Sequence, residues 1–255
     1  MSSIWLSHYT REQISEKARQ GCAVVIPLAA TEQHGPHLPV YTDSLICEHI
    51  AARAAEQANK ALPVLLAPVL PIGCSQHHLA FGGTISFTSA TYLQVLRDIG
   101  ESLVQDGFRK VIFLNGHGGN EPIMHQTAND LAVRHPIWTA SASYWSVARE
   151  ALQALNASEV GMVPGHAGGF ETSAIMAIKP ELVCLDRIES EHVERPWINS
   201  GPSGTFIGKH MELTGAEGYT DAAINASAEK GQAYLDAIVQ SVAAWLTSVV
   251  RSMEA

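Results

Sequence analysis

An apolar run at residues 22–26 gives way to the polar stretch Thr31, Glu32, Gln33, His34, Gly35, Pro36, His37, and a helical pattern takes over after Asp43. Within one short stretch a buried strand must end, a loop must turn and a helix must start. That is the layout of an α/β unit, whose strand-end loops carry ligand sites. Side chains two apart on extended backbone point the same way, so Glu32 and His34 share a face, and Asp43 returns from the far end of the loop to meet them. A carboxylate, an imidazole and a second carboxylate able to bridge form a ligand set for zinc, manganese or iron. The plainer alternative makes Asp43 a helix cap and leaves Glu32 and His34 in solvent.

Two later stretches weigh against that alternative. The apolar run 111–114 ends in Asn115, Gly116, His117, Gly118, Gly119, Asn120. This turn lacks the Lys and Ser/Thr of a phosphate loop and the glycine spacing of a dinucleotide fingerprint. Its glycines let backbone approach closely while His117 projects from the carboxyl end of a strand. The second stretch reads Gly165, His166, Ala167, Gly168, Gly169, Phe170, Glu171, Thr172, Ser173, with Glu171 about one turn from His166 if a helix starts near Ala167. A helix start alone would favour Glu171, and a strand end alone would accommodate His117. Three glycine-flanked loops, each presenting histidine or carboxylate, fit one shared site better.

Together these three motifs resemble the creatininase family of binuclear metal amidohydrolases, over roughly residues 5–245. The resemblance implies that Glu32, His34, Asp43, His117 and Glu171 are metal ligands, with Asp43 bridging two divalent ions about 3–4 Å apart, Zn, Mn or Fe. It makes His166 and Glu171 the candidate catalytic residues and His166 the substrate-side histidine. Trp145 falls on a tryptophan of the creatinine pocket, and a homohexamer is implied. The chain departs from creatininase where Gly118 replaces a tyrosine, Gly119 a glutamate ligand, Met162 a second pocket tryptophan and Gly165 a glutamate. Gly118 and Gly119 thus join Trp145 and His166 as the candidate substrate wall, and lost side chains are expected to enlarge the cleft. Family members with the glycine-rich form act on pyrimidine-nucleotide formamides, a peptide precursor of a redox cofactor, or a ring-opened inositol derivative.

Composition sets the frame. With 46% hydrophobic and 16% charged residues over 255 positions, the chain has material for a full core, and residues 1–255 are read as a single domain. So little charge also fits burial of surface between copies of the chain. A formal net charge of -9 without a basic cluster argues against nucleic acid as a partner. The four cysteines lack C-x-x-C spacing, and Cys22, Cys47 and Cys184 are expected to be buried thiols. No leader pattern or uncharged membrane-length stretch is evident, so a cytoplasmic location is expected and no membrane partner.

Alternating elements predict a three-layer α/β/α fold with a mostly parallel sheet. Helices are expected near residues 10–20, 43–59, 89–105 and 222–250, with strands at 111–114 and 137–142. Residues 62–70 read as a strand interrupted by proline. Adjacent His77 and His78 would point apart, so at most one faces the centre. Residues 190–217, with Trp197, Phe206 and Met211, read as long loops that cover a neighbouring subunit or the site mouth. Ser86 and Ser173 have no evident His–acid relay, there is no G-x-S-x-G elbow, and no histidine is singled out as a partner for Cys74. The expected activity is therefore metal-activated hydrolysis of a non-peptide C–N bond in a small cyclic amide or formamide. The alternatives are opening of a carbocyclic ketone or lactone, and creatinine hydrolysis itself.

Overall fold

Residues 23–28 are apolar throughout, a pattern suited to a strand covered on both faces. The computed structural model describes residues 3–189, 207 and 218–253. Its all-parallel sheet contains β1 (Ala23–Leu28), β2 (Val64–Leu66), β3 (Lys110–Asn115) and β4 (Trp138–Ser143), in the order β2-β1-β3-β4. The helices are α1 (Arg11–Arg19), α2 (Thr42–Ala58), α3 (Ser89–Gln105), α4 (Glu121–Arg134), α5 (Tyr144–Val147), α6 (Arg149–Ala154), α7 (Gly169–Ile178) and α8 (Ala228–Ser252).

Strand alternation divides the core in two. Ala23, Val25, Ile112 and Leu114 pack with α2, α7 and α8, whereas Val24, Ile26, Leu28, Val111 and Phe113 pack with α1, α3 and α4. This is the expected α/β/α layering. From β1 the chain passes through α2 to β2 on one side, then through α3 back past β1 to β3. Neighbouring β1 and β3 are thus left by connections going opposite ways, which opens a crevice at their carboxyl ends.

The expected helix at residues 89–105 occupies Ser89–Gln105, capped by the Thr88 hydroxyl. Within residues 62–70 only Val64–Leu66 is strand, with one further bridge, Leu28 to Leu70, beyond Pro68. The helix expected near Ala167 starts at Gly169, because Ala167 has φ 52°, a left-handed conformation in which a helix does not continue. Cys22 and Cys47 are buried, but Cys184 is exposed. Its apolar neighbours Leu182 and Leu185 face outward with it on surface turns, so apolar sequence context misled. Apart from the exposed Ile207, residues 190–217 with Trp197, Phe206 and Met211 lie outside the described residues.

Helix α8 has the length and apolarity to cross a membrane, yet Tyr234, Leu235, Ile238, Val242 and Leu246 are buried in the core. It approaches α7 so closely that a Cβ on Gly231 would overlap the Ser173 carbonyl. Alanine normally favours a helix over glycine by about 1 kcal/mol, but overpacking against backbone costs about 1–3 kcal/mol. Gly231→Ala is therefore expected to lower the thermal midpoint by a few degrees in calorimetry; a rise would show that the helices separate freely.

Candidate metal centre

The crevice between β1 and β3 gathers three loops. The β1 loop contributes Glu32 and His34, the first turn of α2 contributes Asp43, the β3 loop contributes His117, and the segment entering α7 contributes His166 and Glu171. All six side chains are buried. Asp43 lies between two imidazoles, with Oδ1 3.1 Å from His34 Nε2 and Oδ2 3.1 Å from His117 Nδ1. Glu171 Oε2 is 3.6 Å from His34 Nε2, and Glu32 Oε1 is 3.2 Å from His117 Nδ1. Two groups of three result, His34–Asp43–Glu171 and Glu32–Asp43–His117, sharing Asp43. A third group joins Glu32, His34 and His166.

The imidazole tautomers reveal what these groups are built for. A carbonyl only accepts, so His34 Nδ1 donates to the Glu32 carbonyl at 3.0 Å and its Nε2 lone pair faces Asp43. His117 Nε2 donates to the Cys74 carbonyl at 3.2 Å, turning the Nδ1 lone pair toward Glu32 and Asp43. His166 Nε2 donates to the Gln33 carbonyl at 2.9 Å, leaving Nδ1 3.5 Å from Glu32 Oε1. Lone pairs aimed at carboxylate oxygens repel unless a proton or a cation lies between them. Glu32 Oε1 and Oε2 and Asp43 Oδ2 are buried without hydrogen-bond partners, which fits a cation. Backbone carbonyls that fix the outer nitrogen are the usual support of metal-binding histidines.

Proton affinities carry the same strain. Burial opposes charge on His34, but Asp43, Glu171 and Glu32 overcome it and raise its pKa to about 10. Burial likewise works against His117, and Glu32 and Asp43 push it well above the usual imidazole range. Burial would raise the Glu32 carboxyl, but His117, His78 and His166 hold it well below the usual range. His166 is driven down by burial and by His78 and His34, so it stays neutral. Burial raises Glu171, with Asp43 adding to the effect and His34 opposing it.

Several participants escaped the sequence reading. His77 and His78 do not point apart: both line the cavity, because residues Gln76–Phe81 form a 3-10 turn rather than extended backbone. His78 Nδ1 accepts from Gln33 Nε2 at 2.8 Å, which directs Nε2–H toward Glu32 Oε1 at 3.4 Å. Its ring stacks on His166 at 4.1 Å, and burial lowers its pKa to about 3. Gln33 also donates to the Gly218 carbonyl at 2.6 Å and accepts from Gly35 N at 2.9 Å. Thr220 exchanges backbone and hydroxyl bonds with His166, and Asp221 accepts from Gly169 N at 3.1 Å. No periodicity marks these clamps, and the one signal for Gln33 is its place between the candidate ligands Glu32 and His34.

The cavity measures about 510 Å³, and Trp145, Met162, Gly118, Gly119 and Gly165 contribute to its wall. Two glycines do not enlarge it as expected. The Cβ space of Gly119 is taken by the Cys74 carbonyl, with His117 Nε2 at 2.6 Å and His77 Cε1 at 3.1 Å. That of Gly165 is taken by Met162 O and Thr220 Oγ1, each at 2.9 Å. Only Gly118 adds room, with nothing within 4 Å of its Cβ position. Ser173 and Ser86 donate to the carbonyls of Gly169 and Phe87, so neither stands in a nucleophile relay.

Fold and site define an α/β protein with a buried cluster of carboxylates and imidazoles suited to metal ions. The family model described as Creatininase, creatinine amidohydrolase, matches residues 7–246. The chain belongs to the creatininase family of amidohydrolases. It is 29% identical to creatinine amidohydrolase of Pseudomonas putida over 94% of this chain and 95% of that protein. It is 33% identical to the mycofactocin precursor peptide peptidase of Mycobacterium ulcerans over 66% and 63% of the two chains. With 3-dehydro-scyllo-inosose hydrolase of Thermotoga maritima it shares 26% identity over 84% and 66%. Solved creatininases superpose closely: a manganese form has TM-score 0.78 and a Zn–Zn form of a variant 0.80, each 28% identical over 97% of this chain and 98% of that one.

Gln33→Leu strips the Gly218 carbonyl and the Gly35 N–H of their buried partner, each at a cost of about 1–3 kcal/mol. Its thermal midpoint is expected to fall by several degrees in calorimetry. A midpoint equal to the parent's would show that these groups find other partners.

Proposed function

We propose that the chain is a metal-dependent hydrolase of a non-peptide C–N bond in a small polar amide, cyclic or formyl. The observation that carries this reading is the trio of imidazoles, each tied to a carbonyl on its outer nitrogen and aimed at carboxylate oxygen on its inner one. One divalent ion would be held by His34, Asp43 and Glu171 and a second by Glu32, Asp43 and His117, with Asp43 bridging; zinc and manganese suit this donor set. Bound there, such ions supply an activated water and polarise a carbonyl. His166 has its Nε2 proton committed to Gln33, so Nδ1 is the nitrogen that takes up a proton and returns it to the departing nitrogen. Trp145, partly buried on the wall, offers a flat face to a planar substrate.

Metal analysis by plasma mass spectrometry checks the centre. Protein purified without chelator is expected to carry two divalent ions, Asp43→Asn to lose both, and His117→Ala or Glu171→Ala to lose mainly one. Two retained ions in Asp43→Asn would remove the bridging role.

Turnover is checked by a mass-resolved screen of metal-loaded enzyme against creatinine, lactams, formamides and keto-inositols, repeated with His166→Ala. Amide hydrolysis is expected, with creatinine a poor substrate, and His166→Ala is expected to lose about 10²–10⁴-fold in rate. The relationship to an inosose hydrolase supports a second reading, ring opening of a cyclic ketone. Product from a keto-inositol and from no amide would select that reading.

We also propose a cytoplasmic homo-oligomer, a hexamer by resemblance. Val40, Leu79, Phe81 and Ile85 are exposed, and the antiparallel bridge from Thr31 to Ile85 ties their loops together. Light scattering at micromolar protein is expected to give a multiple of the 27.4 kDa chain mass. A monomeric mass would reject the assembly.

A further inference from the structure

Four carboxylates line the cavity, and one of them stands apart from the ion-holding groups. The side chains of Glu32, Asp43 and Glu171 are at most 6% exposed and belong to those groups, whereas that of Glu121, at the start of α4, is 37% exposed and belongs to none. Its position is fixed. Oε2 accepts from Ser143 Oγ at 2.9 Å, and Ser143 Oγ accepts from Asn115 Nδ2 at 3.0 Å. Asn115 in turn bonds both the N–H and the carbonyl of His117, at 3.1 and 2.7 Å. A rigid polar chain thus runs from the candidate ion site to this carboxylate, across the paired ends of β3 and β4. Among the described residues its nearest basic group is His125 Nε2, 3.9 Å from Oε1, and no Lys or Arg lines the cavity. Trp145, shortly after Ser143, adds an aromatic face to the same wall.

We infer that Glu121 is a specificity-determining residue, and that the cavity selects small amides with a cationic or N–H-rich tail and rejects carboxylated or phosphorylated ones. The inference rests on the two-ion reading, since the ions are what would hold the amide end while the tail meets Glu121. A partly exposed carboxylate attracts an ammonium group weakly, but it repels an anion by a similar amount, and the aromatic face adds to the first effect alone. The two tails should therefore differ in affinity by roughly tenfold.

The test uses three hydroxamates that share one metal-chelating head: glycine hydroxamate with a cationic tail, acetohydroxamate with a neutral one and malonic monohydroxamate with an anionic one. Calorimetric titration of the metal-loaded enzyme is expected to give binding that weakens in that order. In Glu121→Gln, which keeps an acceptor for Ser143, the preference is expected to collapse toward parity. In Glu121→Lys it is expected to invert. Acetohydroxamate failing to bind the metal-loaded parent would sink the two-ion reading and this inference with it. Acetohydroxamate bound without a charge preference in the parent, or a preference unchanged in both variants, would overturn the role of Glu121 alone.

Discussion

The carboxylate of Asp43, wedged between His34 and His117, is the contact on which the rest of the site depends. Charges taken this far out of water each cost several kcal/mol unless neighbours compensate. Glu32, Asp43 and Glu171 concentrate three buried carboxyl groups in one place, and the chain answers with imidazoles whose outer nitrogens are already committed to carbonyls. Protons on His34 and His117 are one form of compensation, and the raised proton affinity of both rings expresses it. Divalent ions are the other, and under the proposed two-ion reading they would satisfy the carboxylate oxygens of Glu32 and Asp43 that hydrogen bonds leave unmet.

The sheet order explains why these groups can meet at all. Because the connections from β1 and β3 diverge, the crevice at their ends is open to loops and not covered by a crossing helix. Asp43 reaches that crevice because α2 begins directly after the β1 loop, and Glu171 because α7 packs against α2 and α8 with its first turn facing inward. Asp43 and Glu171 thus sit in the first turns of helices, whereas Glu32 and His34 lie in the longer loop after β1, which the Glu32 N–H to Val40 carbonyl bond ties together.

Much of this was legible in the chain because it rests on local patterns. The strand at Val111 to Leu114 and the helix at residues 89–105 follow from apolar periodicity, and Glu32, His34, Asp43, His117, His166 and Glu171 stood out by their residue types beside strand ends and glycines. What stayed hidden depends on the third dimension. Gln33 looked like a spacer between two candidate ligands, yet its amide links Gly218, His78 and Gly35. His77 and His78 were misjudged because extended geometry was assumed where the backbone turns as a 3-10 helix. Thr220 and Asp221 lie far along the chain in a stretch without periodicity, and only the fold brings them to the His166 loop.

The glycines show how far substitution at one position can be read in isolation. Replacing a bulky or acidic residue by glycine suggests a wider cleft, and at Gly118 the space is indeed open. At Gly119 it is not, because the Cys74 carbonyl and the rings of His117 and His77 have closed in. A side chain restored there would push backbone and a candidate ligand apart, so the glycine belongs with the His77 ring as one packing solution. The wall at this point is the His77 imidazole, whose pKa burial and nearby His117 hold below the usual range. Acidic character on this side of the cavity is then left to Glu121, two residues further on and anchored through Ser143. The proposed selection of the substrate's tail thus rests on a carboxylate that stands outside the ion-holding groups and is more exposed than any of theirs.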